Sequence, residues 1–263
     1  MRHNKLLDNI CLWVVFIFLF LPIFVLVVFS FNTSRLNIVF EGFTLRWYGE
    51  LFRNPMLLEA LWNTLLVAVI STVISTIIGT MSAYALRRFD FLMKKFINEL
   101  LYIPVVIPDI VLGISLLCIY ALIKLELGMF TLILSHIAFS IPYVIINVSS
   151  VMEMMNPNLE EAASDLGASK LKTFFYVVLP SLLPGIFSGA QLAFTLSLDD
   201  VVISYFTAGP ESNTLPLQVF SMIKTGVTPD VNALITIMLL IIFIGLFVSM
   251  SFNLRRIKKE ARI

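Results

Sequence analysis

The sequence predicts an all-α integral membrane protein with six transmembrane helices, on two observations. Of its 263 residues, 59% are hydrophobic and only 13% are charged, and the mean hydropathy is +0.96. Soluble domains carry about 25% charged residues, so a soluble fold could not cover this much apolar surface. The formal charges also divide the chain into uncharged stretches that exceed the ~20 residues a helix needs to cross a bilayer. A soluble globular protein is therefore excluded.

Each uncharged stretch is interpreted as one spanning helix, because lipid-facing backbone must satisfy its hydrogen bonds within its own segment. The approximate bounds of the six helices are residues 10–31, 61–86, 100–123, 128–151, 184–206 and 232–253. The first stretch is longer than a signal-peptide core, so we expect it to be a retained helix. Together the stretches predict a single transmembrane domain covering residues 1–263, with a longer inner segment at 153–183.

The basic residues predict how this domain is oriented. Segments on the side that holds both termini contain 13 of the 18 Lys and Arg residues, and the opposite segments contain the other 5. Because basic residues concentrate on the cytoplasmic side of membrane proteins, both termini are predicted to be cytoplasmic. The net charge of +1 gives no basic field that would indicate nucleic acid as a partner.

Three acidic residues, Asp109, Asp199 and Asp200, lie inside predicted spans. A carboxylate at the centre of a membrane helix costs ~2.5–3.5 kcal/mol on insertion scales, so such residues usually serve a function or pair with a cation. No Lys or Arg lies inside any predicted span to pair with them. Unpaired acids of this kind suit a water-filled path for a cationic substrate.

These acids also have structural alternatives. Pro104 and Pro108 are expected to break the third span, and Asp109 could cap the N–H groups freed there. In the fifth span a face of small residues favours a helix contact, and Asp200 falls near this face. The members of the face are Gly185, Gly189, Ala193 and Ser197. We therefore expect Asp199 to face the path and Asp200 to be hydrogen-bonded at the contact.

His136 lies in the fourth predicted span without a Cys or His neighbour at metal-ligand spacing. A packed, hydrogen-bonded histidine is therefore favoured over a metal ligand. The sequence also contains no P-loop G-x4-G-K-[ST], no H-E-x-x-H and no G-x-S-x-G motif. We expect this chain to be neither an enzyme nor the holder of a metal or nucleotide cofactor.

The inner segment before the fifth span is the least lipid-like part of the chain, and local signals predict two short helices there. Asn156 can cap the first helix with Pro157 at its first position, and Ser169 can cap the second, which runs to Pro180. Gly167 suits the left-handed conformation that ends a helix. We call this two-helix segment the elbow. An amphipathic connector that rests on lipid headgroups has the same pattern.

The elbow also follows a specific spacing: Glu161-Ala162-Ala163, three residues, Gly167, nine residues, then Val177-x-Leu179-Pro180. This resembles the E-A-A-x3-G-x9-I-x-L-P loop of binding-protein-dependent ABC importer permeases, with Val177 in place of Ile. The resemblance implies the type I ABC importer fold, in which this segment is a coupling helix seated in a groove of the ATPase subunit. It implies that Ala162 and Ala163 allow close approach, that Gly167 sets the elbow and that Glu161 makes a polar contact.

A closer resemblance covers nearly the whole chain. The similar strings are FNTSR (31–35), GFTLRWY (42–48), PDIVLGISLL (108–117), SLDDVV (197–202) and LPLQVFSMIKTGVTPDVNAL (215–234). They are similar to permease subunits of spermidine/putrescine importers. This implies half of a polyamine path in a bacterial inner membrane. The implied partners are a second permease subunit, an ATPase dimer that binds ATP and Mg²⁺, and an extracytoplasmic polyamine-binding protein.

Two other functions compete with this one. The first is an ABC permease for another solute. The second is an ion-coupled secondary carrier, in which Asp109 and Asp199 would bind a proton or a sodium ion. Such a carrier predicts paired broken helices in inverted repeats, whereas the sequence interrupts only the third predicted span. A carrier also leaves the spacing of the elbow residues unexplained.

Overall fold

Helices dominate the structure, as the apolar composition predicts. The computed structural model describes residues 5–35, 39–156, 158–222, 226 and 228–260, with side chains described in 9–35, 39–156, 158–222, 226 and 228–244. The only strand-like pairing within these ranges is a single antiparallel bridge between Asn32 and Phe43. The prediction of an all-α protein is confirmed. Pro157 and three residues of the charge count, Arg2, Lys224 and Arg262, lie outside the described residues.

The described helices follow one another along the chain, with one π-helical turn, Phe174–Val178, between the eighth and the ninth. In chain order they are α1 (Lys5–Phe29), α2 (Arg46–Leu51), α3 (Pro55–Arg88), α4 (Lys94–Val106), α5 (Asp109–Leu122), α6 (Met129–Met154), α7 (Asn158–Asp165), α8 (Lys170–Thr173), α9 (Leu179–Asp199), α10 (Val202–Thr207), α11 (Leu215–Met222) and α12 (Pro229–Glu260).

Within the described part, four helical segments are long and apolar enough to cross a membrane. They are Asn9–Phe29, Pro55–Arg88, Met129–Met154 and Lys170–Asp199. The pair α4 and α5 forms a fifth candidate that is bent by 111°. Helix α12 is apolar over Pro229–Ile244, and its later side chains are outside the described set. The count of six spans therefore stays a prediction.

The third predicted span breaks at Pro108, and the cause is local. The residue before a proline is pushed out of the α region, and Ile107 is extended with φ −71° and ψ 137°. Pro104, in contrast, lies inside α4, so only one of the two prolines makes the break. Helix α5 then begins at Asp109.

The fifth predicted span differs from its expected bounds at both ends. It begins as a helix at Lys170 rather than near 184, because α8, the π-turn and α9 are continuous. The prediction that the second elbow helix ends at Pro180 is therefore wrong. A proline ring crowds the carbonyl four residues earlier, and the wider π-turn just before Pro180 relieves this crowding. At the other end, α9 stops at Asp199 and α10 starts at Val202, an interruption that the sequence does not predict.

The chain divides into two compact units, residues 59–220 and residues 1–58 with 221–263. In the second of these, α12 packs against α1 and α2. Trp47 of α2 is buried and its indole N–H donates to the carbonyl of Asn32. The Asn54 amide donates to the Asp230 carboxylate at 2.9 Å, which joins the start of α3 to the start of α12.

In the unit of residues 59–220, α6 is the central helix and packs against α9. The face of small residues predicted on the fifth span lies at this contact, since all four of its members are buried. A Cβ built on Gly189 would lie 3.1 Å from the Val144 Cα, and one built on Gly185 would lie 2.9 Å from Val151 Cγ2. Glycine at these two positions therefore lets the helix backbones approach closely.

We expect Gly189→Val to destabilise this unit by about 1–3 kcal/mol, because the added side chain must push α9 away from α6. Thermal unfolding of the purified, detergent-solubilised protein measures the effect. Phe187→Leu is the matched control, since Phe187 lies on the exposed side of the same helix. An unchanged melting temperature for Gly189→Val would contradict the close contact.

Candidate substrate path and coupling surface

The neighbouring acids Asp199 and Asp200 have different environments. Asp199 is the last residue of α9, its side chain is exposed, and it makes no side-chain hydrogen bond to any other described residue. The Asp200 side chain is only 8% exposed. Asp200 therefore lies at a helix contact, while Asp199 is the acid that is open to its surroundings.

The Asp200 carboxylate satisfies the backbone at the start of α10. Its Oδ2 accepts from the Ser204 backbone N–H at 2.7 Å and from the Ser204 hydroxyl at 2.6 Å. Its Oδ1 accepts from the Ile203 N–H at 3.1 Å. The first N–H groups of a helix have no partner within the helix, so this carboxylate supplies one.

His136 is the partner of Asp200 that the sequence does not reveal. It is 1% exposed, and its Nε2 lies 3.5 Å from Asp200 Oδ2 and 3.0 Å from Ser204 Oγ. Its Nδ1 lies 2.6 Å from Ser197 Oγ, which in turn lies 3.2 Å from Ser71 Oγ. The prediction of a packed, hydrogen-bonded histidine is confirmed, whereas the prediction of three unpaired acids is wrong for Asp200. A search for Lys and Arg alone misses a histidine partner.

Asp109 is the first residue of α5, and its side chain is exposed. The structure does not support the alternative that Asp109 caps freed N–H groups, because its side chain makes no hydrogen bond among the described residues and the N–H groups of Val111 and Leu112 donate to the carbonyl of Pro108. The negative charge of Asp109 is nevertheless stabilised by the positive N-terminal end of the α5 dipole. Asp109 and Asp199 are thus two exposed carboxylates, each beside a helix break.

Helix α5 packs against α10, the short helix that follows the break between α9 and α10. A Cβ built on Gly113 of α5 would lie 2.7 Å from Phe206 Cδ2 and 3.5 Å from Ile203 Cα. The α5 backbone at Gly113 therefore lies directly against the Phe206 ring and the Ile203 backbone of α10. This contact connects the segment that carries Asp109 to the segment that follows Asp199.

The elbow is built by local hydrogen bonds. The Asn156 side chain accepts from the N–H of Asn158, where α7 begins. At the other end Gly167 has a φ of +79°, the Ala168 N–H donates to Ala163 O, and the Gly167 N–H donates to Ser164 O. These two bonds form the Schellman motif, which ends a helix at a left-handed residue. The predicted end of the first elbow helix at Gly167 is therefore confirmed.

Several elbow residues face outward and others face this chain. Glu161 and Ala162 are exposed, whereas Ala163 is buried. Leu166 is 89% exposed and Leu171 is 72% exposed, so two largely exposed apolar side chains flank the turn. An exposed apolar pair of this size is a feature of surfaces that bind another protein.

Two polar contacts lie near the end of α3: one joins α3 to the elbow, and the other lies in the short basic segment that follows α3. Arg88 Nε lies 3.3 Å from Glu160 Oε2, which ties α7 to the end of α3. In the next segment the Lys94 ammonium lies 2.7 Å from Asp90 Oδ1 and lowers the pKa of that carboxyl.

The motif residues Leu179 and Pro180 lie at the start of α9, where Leu179 is half-buried and Pro180 is exposed. Among the described side chains, His, Cys, Asp and Glu form no group of three that could hold a metal ion.

Solved structures identify the class of this fold. A bacterial ABC transporter involved in the import of the acidic polysaccharide alginate matches with a TM-score of 0.73 over 95% of this chain and 98% of that chain, at 16% identity. An amino acid ABC transporter matches with a TM-score of 0.57 over 81% of this chain and 99% of that chain, at 15% identity. The fold is that of type I ABC importer permeases.

Sequence comparison gives the family. Residues 75–262 match the family described as "Binding-protein-dependent transport system inner membrane component", and the chain belongs to this family of multi-pass inner-membrane proteins. It is 41% identical over 238 residues to the spermidine/putrescine transport system permease protein PotC of Escherichia coli (strain K12), covering 90% of each chain. The putrescine transport system permease protein PotI of the same strain is 41% identical over 231 residues, covering 85% of this chain and 82% of that protein. A PotC homolog of Mycoplasma genitalium (strain ATCC 33530 / DSM 19775 / NCTC 10195 / G37) is 33% identical over 279 residues, covering 98% and 96%.

Proposed function

We propose that this chain is the permease subunit of an ATP-driven importer for polyamines and forms half of their translocation path. The observation that carries the proposal is the pair of exposed carboxylates, Asp109 and Asp199, beside breaks in two apolar helices. Its relatives named for spermidine and putrescine transport cover most of the chain.

The chemistry of the two acids suits a polyamine. Spermidine and putrescine are flexible chains that carry two or three ammonium groups, so they can contact carboxylates that are held apart. Asp109 and Asp199 have no Lys or Arg beside them in the apolar segments, and their charge is free for a passing cation. At a site partly shielded from water an ion contact is stronger than in bulk solvent. Asp200 is already hydrogen-bonded and contributes indirectly.

The elbow would bind the ATPase subunit of the importer. Glu161, Ala162, Leu166 and Leu171 are exposed there, which offers an acid and apolar side chains around a rigid turn. Closure of an ATPase dimer on this surface would move α7 and, through the Arg88–Glu160 pair, the end of α3. In this arrangement both termini are cytoplasmic, and ATP and Mg²⁺ bind to the ATPase rather than to this chain. A second permease subunit completes the path, and an extracytoplasmic binding protein delivers the polyamine.

A secondary carrier is the second candidate, and one observation favours it. Carriers of that class use pairs of interrupted helices, and the structure interrupts the fifth predicted span as well as the third. The exposed elbow favours the importer, because a carrier that works alone needs no docking surface for an ATPase. The two candidates differ in their source of energy.

Uptake of labelled spermidine and putrescine by cells that express the whole importer tests the proposal. We expect uptake to fall to background when the ATPase subunit is omitted or its P-loop lysine is replaced. We also expect uptake to continue when ionophores collapse the ion gradients while ATP is maintained. Uptake that continues without the ATPase but stops with the gradient would establish the carrier. Uptake of another solute in place of polyamines would establish the remaining alternative.

A further inference from the structure

The break between α9 and α10 is held by a buried cluster of polar side chains. We call it the His136 cluster, and its members are Ser71, His136, Ser197, Asp200 and Ser204. They come from α3, α6, α9, the break itself and α10, all within the unit of residues 59–220. Buried polar groups of this kind are costly unless each has a partner, and here they are partners of one another.

This break has no local cause comparable to the proline at the first break. Residues 198–203 read Leu-Asp-Asp-Val-Val-Ile and contain neither Pro nor Gly, so no residue there forces the helix to end, although Asp and Val are weak helix formers. Asp200 nevertheless is extended, with φ −65° and ψ 125°. Its carboxylate takes the place of helix carbonyls as acceptor for the N–H groups of Ile203 and Ser204. The geometry of the break therefore depends on where that carboxylate is held.

His136 contacts both sides of the break. Its Nδ1 meets Ser197, which lies in the last turn of α9, and its Nε2 meets Ser204 in α10 and approaches Asp200. The ring is 1% exposed and lies on α6, the helix against which both α9 and α10 pack. One side chain thus bridges α9 and α10 by hydrogen bonds.

The angle between α9 and α10 at this break affects the relative placement of the two exposed acids, Asp109 and Asp199. Asp199 is the last residue of α9, so it moves with α9. Helix α10 packs closely on Gly113 of α5, and α5 carries Asp109 at its first residue. A rotation of α10 against α9 would therefore move Asp109 relative to Asp199.

We propose that His136 is a positioning residue, which fixes the relative placement of Asp199 and Asp109 through the α9–α10 break. The proposal rests on the proposed function, in which these two carboxylates bind the polyamine. His136 itself contacts no substrate. Its effect on transport would pass entirely through the acids that it positions.

A double-mutant cycle tests this dependence. His136→Phe keeps a ring and removes both nitrogens, while His136→Gln keeps a polar group that can reach toward Ser204. We expect His136→Phe to lower the maximal rate of spermidine uptake about tenfold per assembled complex, and His136→Gln to restore at least about a third of the rate. In an Asp199→Asn background we expect His136→Phe to cause less than about a twofold further loss.

The outcomes separate this inference from the proposed function. If Asp199→Asn alone leaves uptake unchanged, the proposed path falls and the inference falls with it. If Asp199→Asn lowers uptake but His136→Phe costs the same factor in both backgrounds, only the inference falls, because a general loss of stability acts in every background. Near-additive losses would assign His136 a purely structural role.

A labelling measurement decides the question when Asp199→Asn abolishes uptake altogether. The exposed thiols Cys11 and Cys118 are first replaced by Ser, and Asp199→Cys is labelled with a cationic methanethiosulfonate in the assembled complex. We expect His136→Phe to change the labelling rate at this position at least about threefold. Thr195→Cys, one turn earlier on the exposed side of α9, is the control and should change by less than about 1.5-fold. Equal rates with and without His136→Phe at position 199 would overturn the proposal.

Discussion

Gly167→Asp is expected to lower the recovery of the ATPase subunit with this permease at least about tenfold, a loss of about 1.4 kcal/mol or more in binding. Membrane insertion should be retained, because the change lies outside the predicted spans. Gly167 is exposed and has a φ of +79°, and apart from its two chain neighbours no atom of the described residues lies within 4 Å of a Cβ built there. The new carboxylate would therefore point away from the chain, at the surface proposed to contact the ATPase. Co-purification with an affinity-tagged permease measures the loss.

Two further substitutions separate charge from backbone strain. Asn and Asp tolerate the left-handed region better than other residues, so Gly167→Asn has the same shape and similar strain as Gly167→Asp without its charge. We expect Gly167→Asn to retain ATPase recovery within about threefold. Gly167→Val places a β-branched residue where it is strained, so it should disrupt the Schellman bonds and the turn. Normal recovery of the ATPase with Gly167→Asp would contradict the proposed role of the elbow.

The elbow and the first break could be predicted because their causes are local. A glycine after a helical pattern and a capping Asn before it determine where α7 begins and ends. A proline determines where α4 ends, since it restricts the residue before it and lacks an N–H. Long uncharged stretches likewise predict membrane helices, because the cost of burying charge in lipid depends on composition alone.

The second break and the partner of Asp200 could not be predicted, because their causes are distant in sequence. His136 and Ser204 are 68 residues apart, and Ser71 and Ser197 are 126 residues apart. Residues 198–203 contain neither Pro nor Gly, so no residue there forces α9 to end at Asp199; the Asp200 carboxylate, which the buried cluster holds, accepts the first N–H groups of the next helix. The pairing of Arg88 with Glu160 is equally non-local. Helical periodicity indicated that Asp200 faces a helix contact, but it could not identify His136 as the residue on the other side of that contact.

Asp199→Asn is expected to lower spermidine uptake at least about tenfold while the complex assembles normally. The substitution keeps the size and shape of the side chain and removes its charge. An ammonium group held by a carboxylate gains about 1.5–3 kcal/mol from a charge-assisted hydrogen bond, and each 1.4 kcal/mol corresponds to about tenfold. Because Asp199 makes no side-chain hydrogen bond to any other described residue, its loss should leave the fold unchanged. Uptake per assembled complex, at saturating binding protein, measures the effect.

Asp200→Asn is the matched control, since it makes the same chemical change one residue later in a different environment. The Asp200 carboxylate accepts from the Ile203 N–H through one oxygen and from the Ser204 N–H and hydroxyl through the other. Asn keeps one acceptor oxygen, but the amide nitrogen that replaces the other cannot accept, so at least one of these bonds is lost. A buried donor left without its acceptor costs about 1–3 kcal/mol, so this variant should lose melting temperature and assembled complex along with uptake. Asp199→Asn should lower uptake without lowering the melting temperature or the amount of assembled complex. Unchanged uptake with Asp199→Asn would remove Asp199 from the path, and equal losses of stability in the two variants would assign Asp199 a structural role instead.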